Sequence, residues 1–354
     1  MIPLNSNLTQ LKRSAIRVYT DLARRTPGCV MLTLGEPDFD TPAPIRRAAW
    51  DALERGQTHY APNQGTAELR AAIARVETRR GNPTAPEQVL VTVGASQALF
   101  TALLGILNPG EEVIVPVPAF SLYETIITIA GGKMVPLDVS KTGFQIDPAA
   151  LDRLISPKTK AILLNSPNNP TGVILNEGSL DAVRRAVLGK PIFLVSDNVY
   201  TDLVYAPCPD LSLDGALKEQ LLLCQSFSKP YAMTGWRVGY LLVPDAAYVP
   251  KFAALQEGLV SCVSSFSQVA CAEALKSTEC VKSMLADYTR RRDILVDGIN
   301  AIPGFTCAKP KGSFYAFVNI KAFGKSSQEF AEELIRGAHV ICVPGTAFGA
   351  MGEG

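Results

Sequence analysis

Histidine is scarce in this chain: His59 and His339 are the only two in 354 residues. No pair of histidines stands at metal-ligand spacing, so no metal site is expected. Each histidine reads as structural or solvated rather than catalytic. Eight cysteines are scattered without a CxxC pair, which removes the usual zinc and dithiol motifs. Cys224, Cys271 and Cys342 lie in apolar runs and read as small core residues. A reduced, cytoplasmic protein is expected. Net charge is nearly absent, at +1, so no field points to nucleic acid or to a membrane surface. No apolar segment is long enough to cross a bilayer, and MIPLNSNLTQLKRSAIRV has no apolar core of signal-peptide length. Neither GxGxxG nor GxxxxGK[ST] occurs, which weakens dinucleotide and P-loop readings. There is no internal repeat and no low-complexity tract.

What remains is a globular composition, 47% hydrophobic and 19% charged, long enough to bury a sizeable core. Short apolar runs alternate with helical patterns. VLVTV ends at Gly94 and ASQALFTALLGIL follows as a helix. EEVIVP, KMVPLDV, KAILLN, PIFLVSD, LLLCQSF and VGYLLV read as further strands. Continuously apolar strands separated by helices predict a mostly parallel sheet covered on both faces. From about Phe252 the rhythm changes. A long helical stretch leads to strands in FTCAKP and FYAFVNI, then to the helix SSQEFAEELIRGA and the strand VICVP. These predict a smaller α+β domain. GEPDFDTPAP reads as a loop.

Four strand-like runs end on residues with chemical handles. One ends at Gly94–Ala95–Ser96–Gln97, another at Asn165 before Asn168–Asn169–Pro170–Thr171–Gly172. The third ends at Asp197 and the fourth at Ser226, just before Lys229. In open α/β sheets such ends share one edge, where ligands bind. The Gly94–Ser96 turn opens a helix and suits an anion, with Ser226 as a hydroxyl donor and Arg237 as a bidentate fork. By itself that turn reads equally well as an ordinary cap. The combination favours a site.

One set of motifs misleads. Ser226 to Lys229 matches S-x-x-K, Ser196–Asp197–Asn198 matches S-D-N, and Lys141–Thr142–Gly143 matches K-T-G, the serine β-lactamase set. In that set the serine opens a helix, one turn from its lysine. Here Ser226 ends an apolar strand, Pro230 follows the lysine, and the K-T-G tripeptide lies in a turn. The matches are read as chance.

The segments NNPTG, SDNVY and SFSKPYAMTGWRVGY together resemble the class I/II pyridoxal-phosphate aminotransferases of fold type I, the aspartate aminotransferase superfamily. GEPDFDTP, YAPNQGTAELR and VTVGASQALF are similar to its prokaryotic gamma branch. The resemblance runs from about residue 4 to the end. It implies an α/β fold, with a large domain built on a mostly parallel sheet covered by helices, and a smaller α+β domain. The expected division is residues 1–44 as an N-terminal segment joining the small domain, 45–275 as the large cofactor domain, and 276–354 as the small domain.

The resemblance also implies roles. The cofactor is pyridoxal 5′-phosphate and Lys229 its Schiff-base lysine, which moves the substrate proton. A lysine that does this needs its ammonium form disfavoured. Asp197 matches the acid that pairs with the pyridine nitrogen, and Tyr200 and Asn169 match donors to the ring 3′-oxygen. Ala95, Ser96 and Gln97 belong to the phosphate cup, which Ser226, Ser228 and Arg237 complete. Tyr60 matches a tyrosine that reaches the neighbouring subunit's phosphate, which implies a homodimer with shared sites. Phe120 falls where a ring-stacking tyrosine is usual, and Gly35 matches a backbone donor near the substrate carboxylate, with Asn169 nearby. Read from the residues alone, Tyr60 and Phe120 also suit plain core aromatics, and Asn169 suits the NPTG turn.

An aminotransferase acting between an L-amino acid (aspartate, aromatic or aliphatic) and a 2-oxo acid, 2-oxoglutarate for preference, by a ping-pong route is therefore expected. Neither nucleic acid nor a membrane is an expected partner. The competing readings are a carbon–sulfur β-lyase or aminocyclopropane-carboxylate-synthase-like enzyme on the same fold, and a cofactor-binding regulator without catalysis. Side-chain choice is expected to involve Asn5 and Ile16. The family pattern places a second arginine, for the substrate α-carboxylate, beyond the PGTAFG segment. The sequence stops at MGEG, where that strand would begin, and Arg336 precedes the segment. On that pattern the small domain reads as truncated, and a chain ending there is expected to transaminate weakly or not at all.

Overall fold

The computed structural model describes residues 15–276 and 278–354, together with Ile2, Thr9 and Leu11. The expectation for Asn5 lies outside the described residues. Ile16 is half-buried in the helix Ala15–Arg25.

Nine strands are described. β1 is Val30–Met31, β2 Val89–Thr92, β3 Glu112–Val117, β4 Lys133–Asp138 and β5 Thr159–Asn165. β6 is Phe193–Asp197, β7 Leu221–Ser226, β8 Gly239–Leu242 and β9 Val340–Ile341. Seven of them form one sheet in the order β2-β8-β7-β6-β5-β3-β4. β8 runs antiparallel to both of its neighbours, and every other pair in that sheet is parallel. β1 pairs in parallel with β9, which ties the N-terminal segment to the C-terminal part of the chain.

The apolar strand runs are explained by cores on both faces. Along β7, Leu222 and Cys224 face one cluster and Leu223 the other. Along β2, Leu90 and Val91 divide the same way. Alternate side chains point to opposite faces, so a strand covered twice is apolar at every position. One core is closed by the helices Gly94–Ile106, Leu122–Ile129 and Val249–Val260. The other is closed by Ala43–Glu54, Ala67–Arg80, Glu177–Val187 and Ser265–Ala274.

Parallel pairing sets the location of chemistry. β2, β5, β6 and β7 all finish at one edge of the sheet. β8, being reversed, begins there, so a residue just before β8 joins residues that follow the other four.

The C-terminal part departs from expectation in detail. FTCAKP and FYAFVNI do not form continuous strands. They meet at a single antiparallel bridge, Thr306 with Asn319, and the aromatic residues between serve side-chain packing. The long helical stretch is two helices, Ser265–Ala274 and Glu279–Asn300. VICVP contributes only Val340–Ile341 to a strand.

Candidate active site

Beyond β2 the chain turns at Gly94, whose φ is +70°, and enters the helix Gly94–Ile106 with no side-chain cap from Val93. Amides in the first turn of such a helix are left for an anion. Arg237, itself left-handed at φ 57°, lies against this turn. A Cβ built on Gly94 would stand 2.5 Å from Arg237 Nη2, and one on Gly239 would stand 2.8 Å from the Ala95 nitrogen. Both glycines are required by close approach. Arg237 is exposed and donates Nη1 to the Thr234 carbonyl at 2.9 Å, so its fork is only partly engaged. Ser226 and Ser228 are buried beside it, linked by a 2.8 Å hydroxyl bond.

Asp197 ends β6, paired in register with Asn165 on one side and Cys224 on the other. It is 4% exposed. Burial pushes its carboxyl up to about 6, against the lowering influence of the Tyr123 hydroxyl, the Val199 N–H and the Lys229 charge. Tyr123 donates to Asp197 Oδ2 at 2.7 Å. Asn165 donates to the Asp197 carbonyl at 2.9 Å and accepts from the Asn169 N–H at 2.7 Å, which fixes the NNPTG loop on β6. Asn169 is buried, and among the described residues its Oδ1 has no partner. Tyr200 follows Asp197 in a tight turn closed by the Leu203 N–H on the Tyr200 carbonyl at 2.8 Å. Burial drives its phenol well above the usual range. Its hydroxyl meets that of Tyr315 at 2.8 Å.

Lys229 reaches into this group. Nζ donates to the Gly35 carbonyl at 2.5 Å and lies 5.6 Å from the centre of the Phe314 ring. Burial lowers its ammonium to about 8; Glu36 and Asp197 oppose that shift and Arg237 assists it. The site therefore holds an amine poised for neutrality, an acid held in an apolar wall, a phenol and an anion cradle, all at one sheet edge. Such an arrangement can hold an anion and move a proton.

Comparison with known proteins agrees with that chemistry. The family model for "Aminotransferase class I and II" matches residues 27–354. The chain belongs to the class I and II aminotransferases. It is 39% identical to the aromatic-amino-acid aminotransferase 2 of Thermococcus litoralis, covering 99% of this chain and 92% of that protein. It is 38% identical to the aspartate aminotransferase of Pyrococcus horikoshii, covering 97% and 89%. Among solved structures, the aspartate aminotransferase of Thermus thermophilus with maleate superposes at TM-score 0.92, with 36% identity over 98% of this chain and 93% of that one. These neighbours share the fold type I architecture.

Within this aminotransferase the expected residues fall into two groups. Lys229, Asp197, Tyr200, Asn169, Gly35, Ser226, Ser228, Arg237, Ala95 and Ser96 gather at the edge just described. Gln97 turns back on its own helix: its Oε1 accepts from the Val93 N–H at 2.5 Å, and its buried Nε2 has no partner among the described residues. Phe120 is half-buried, edge-on to Tyr123 at 5.8 Å. Tyr60 stands apart, 91% exposed on the segment before the helix Ala67–Arg80.

The β-lactamase-like tripeptides do not assemble. Ser226 bonds Ser228 and the Val238 carbonyl. Asn198 is tied to Ser196 and Asp210, and Thr142 bonds the carbonyls of Val139 and Gln145 in a surface turn. Sequence reasoning missed Tyr123, Glu36, Phe314 and Tyr315. Tyr123 had a faint signal, a tyrosine near the start of the helix that follows β3. Tyr315 had none, because its importance depends on a fold-back of more than a hundred residues. Among the described residues no cluster could hold a metal, and no helix is long and apolar enough to cross a membrane.

Proposed function

We propose that this aminotransferase uses pyridoxal 5′-phosphate to move an amino group from an L-amino acid to a 2-oxo acid, by two half-reactions in turn. The observation that carries the reading is Lys229, driven by burial to about 8, in the same cluster as Asp197 and Tyr200. Two features support a fit to this cofactor. The Arg237 guanidinium closes so tightly on the Gly94 turn that a Cβ there would stand 2.5 Å from Nη2, which sets a cation beside the first-turn amides, and among the described residues the buried Asn169 Oδ1 lacks a partner. The bound cofactor supplies a ring that takes up the electron pair released when the substrate Cα–H bond breaks.

The chain's own residues do the rest. Ala95 and Ser96 amides, Ser226, Ser228 and Arg237 hold the phosphate dianion. Asp197, kept in place by Tyr123, holds a proton on the ring nitrogen. Tyr200 and Asn169 hold the ring 3′-oxygen, and Phe120 covers the ring face. Lys229, neutral in part near pH 8, would take the proton from Cα and return it two bonds away, at the cofactor's C4′ carbon. Gly35 offers its backbone to the substrate carboxylate. Tyr60, with exposed Trp50 and Leu53 nearby in sequence, supports a homodimer in which Tyr60 serves the partner's site.

Relatives named for aspartate, aromatic amino acids and aspartate/prephenate support an acidic or aromatic donor, with 2-oxoglutarate as acceptor. Borohydride reduction of the cofactor-loaded protein, followed by peptide mapping, tests the site. The adduct is expected on Lys229; any other residue overturns the assignment. A donor screen read by the cofactor's spectral change tests the reaction. Release of pyruvate and ammonia without a 2-oxo acid would favour a lyase instead.

A further inference from the structure

Tyr315 comes from the C-terminal part of the chain, yet its half-buried side chain packs into the candidate site. Its ring meets the Tyr200 ring edge-on at 5.7 Å and the Phe314 ring at 5.0 Å. Its hydroxyl lies 2.8 Å from the Tyr200 hydroxyl, and among the described residues Tyr200 is its one hydrogen-bond partner. On the opposite side it lies against Gly35. A Cβ on Gly35 would stand 2.1 Å from the Tyr315 hydroxyl oxygen, so residue 35 is glycine where this hydroxyl needs the space. The same Gly35 gives its carbonyl to Lys229.

Two hydroxyls in contact share one proton between them, and the other proton is left for a third group. If Tyr200 donates, the Tyr315 proton faces Gly35 and Phe314, and the Gly35 carbonyl there already accepts from Lys229. If Tyr315 donates, the Tyr200 proton is available to a ligand. Resting on the cofactor reading above, we propose that Tyr315 is a positioning residue: it donates to Tyr200 and so commits the Tyr200 O–H to the 3′-oxygen of the bound cofactor. A phenol that accepts one hydrogen bond is a stronger donor of its own. Gly35 holds this arrangement open, so the N-terminal segment, the Asp197–Tyr200 turn and the C-terminal part meet in one bond.

The ionisable groups around the pair are Asp197 and Tyr123 on the sheet side and, across the Phe314 ring, Lys229 with Glu36 and Arg237. Tyr315→Phe changes none of them. A donor at the 3′-oxygen competes for that oxygen with the proton on the adjacent lysine nitrogen. Weakening the donor therefore leaves that proton more tightly held.

The test uses the full chain loaded with pyridoxal 5′-phosphate and reads the pH midpoint of its visible absorption change in four proteins: wild type, Y315F, Y200F and Y200F/Y315F. Y315F is expected to raise the midpoint by roughly 0.3–1 pH unit, the size of one net hydrogen bond expressed as a pKa. Y200F is expected to raise it further, and Y315F to add nothing in the Y200F background. Gly35→Ala, which displaces the Tyr315 hydroxyl while keeping the residue, is expected to shift the midpoint in the same sense as Y315F. It keeps the test decisive if Y315F loads poorly. A Y315F midpoint equal to wild type overturns the proposal, as does an equal shift with and without the Tyr200 hydroxyl. Those results leave the cofactor reading intact if borohydride still marks Lys229. A wild-type protein that shows no visible absorption overturns both.

Discussion

Asp197→Asn should make the cofactor-free protein relatively more stable as pH rises, although it removes a residue the reaction needs. The Asp197 carboxyl sits at about 6 in the folded chain against an ordinary value of 3.8, because burial disfavours its charged form. A carboxyl raised by folding contributes stability that is fully present below pH 3.8 and is lost as pH climbs through about 6. Two units at 1.36 kcal/mol each amount to about 3 kcal/mol. The asparagine has no such titration. Any change in the hydrogen bonds of its amide is the same at every pH and cancels in the comparison. For a chain of this length the unfolding entropy is roughly 0.7 kcal/mol/K, so 3 kcal/mol corresponds to about 4 °C in Tm. The assay is a series of thermal melts of both cofactor-free proteins from pH 4 to pH 7.5. The Tm of Asp197→Asn minus that of wild type should rise by about 4 °C across that range. Adding pyridoxal 5′-phosphate should reverse the trend, since a protonated ring nitrogen favours the charged carboxylate. A Tm difference that stays flat with pH refutes the account of Asp197 as a carboxyl held against burial.

Three further outcomes follow from the same geometry. Tyr123→Phe removes the donor on Asp197 Oδ2; a bond to a charged group is worth about 1.5–3 kcal/mol, so the acid limb of kcat/KM should move alkaline by roughly one unit, read in a pH–rate profile. Gly94→Ala places a Cβ 2.5 Å from Arg237 Nη2 at a φ of +70°. It should weaken cofactor binding at least tenfold, or about 1.4 kcal/mol, in an equilibrium titration, with little change in far-ultraviolet circular dichroism. Arg80→Met should lower Tm by about 4 °C. Arg80 grips both oxygens of Asp202 at 2.6 Å and reaches Glu77 at 2.8 Å, and Glu77, 3% exposed, also accepts from Tyr240. Removing the cation strands two carboxylates, at the low end of the roughly 3–5 kcal/mol cost of breaking a buried pair because Arg80 is a quarter exposed. An unchanged Tm would mean that water already screens the pair.

Most of the sheet was legible in the chain because its strands are buried on both faces. A run such as LLLCQS, apolar through its first four positions, has no solvent side to disguise it, and all six residues of β7 are buried. The C-terminal part was less legible. FTCAKP and FYAFVNI have strand-like composition, but Phe305 packs on Phe323 and Phe330, and Phe314 and Tyr315 pack on each other and on Tyr200, rather than along a ladder. The helix break before Glu279 was hidden by an unbroken helical pattern.

By itself, the sequence determined which side chains stand where strands end: Asn165, Asp197 and Ser226, with Lys229 three residues on. That follows from local hydrophobic periodicity, which records burial one element at a time. It also carried the motif order that marks the family. The tertiary structure alone decided what those side chains touch. The reversed direction of β8 brings Arg237 to the first turn of the helix at Gly94. Burial among residues from three distant segments lowers Lys229 to about 8 and raises Asp197 to about 6. Tyr123, in the helix after β3, meets Asp197 at the end of β6, and Tyr315 meets Tyr200 from more than a hundred residues away; no local pattern encodes such contacts. Strand ends are dictated by neighbouring residues, whereas the charge state of a group depends on everything that excludes water from it.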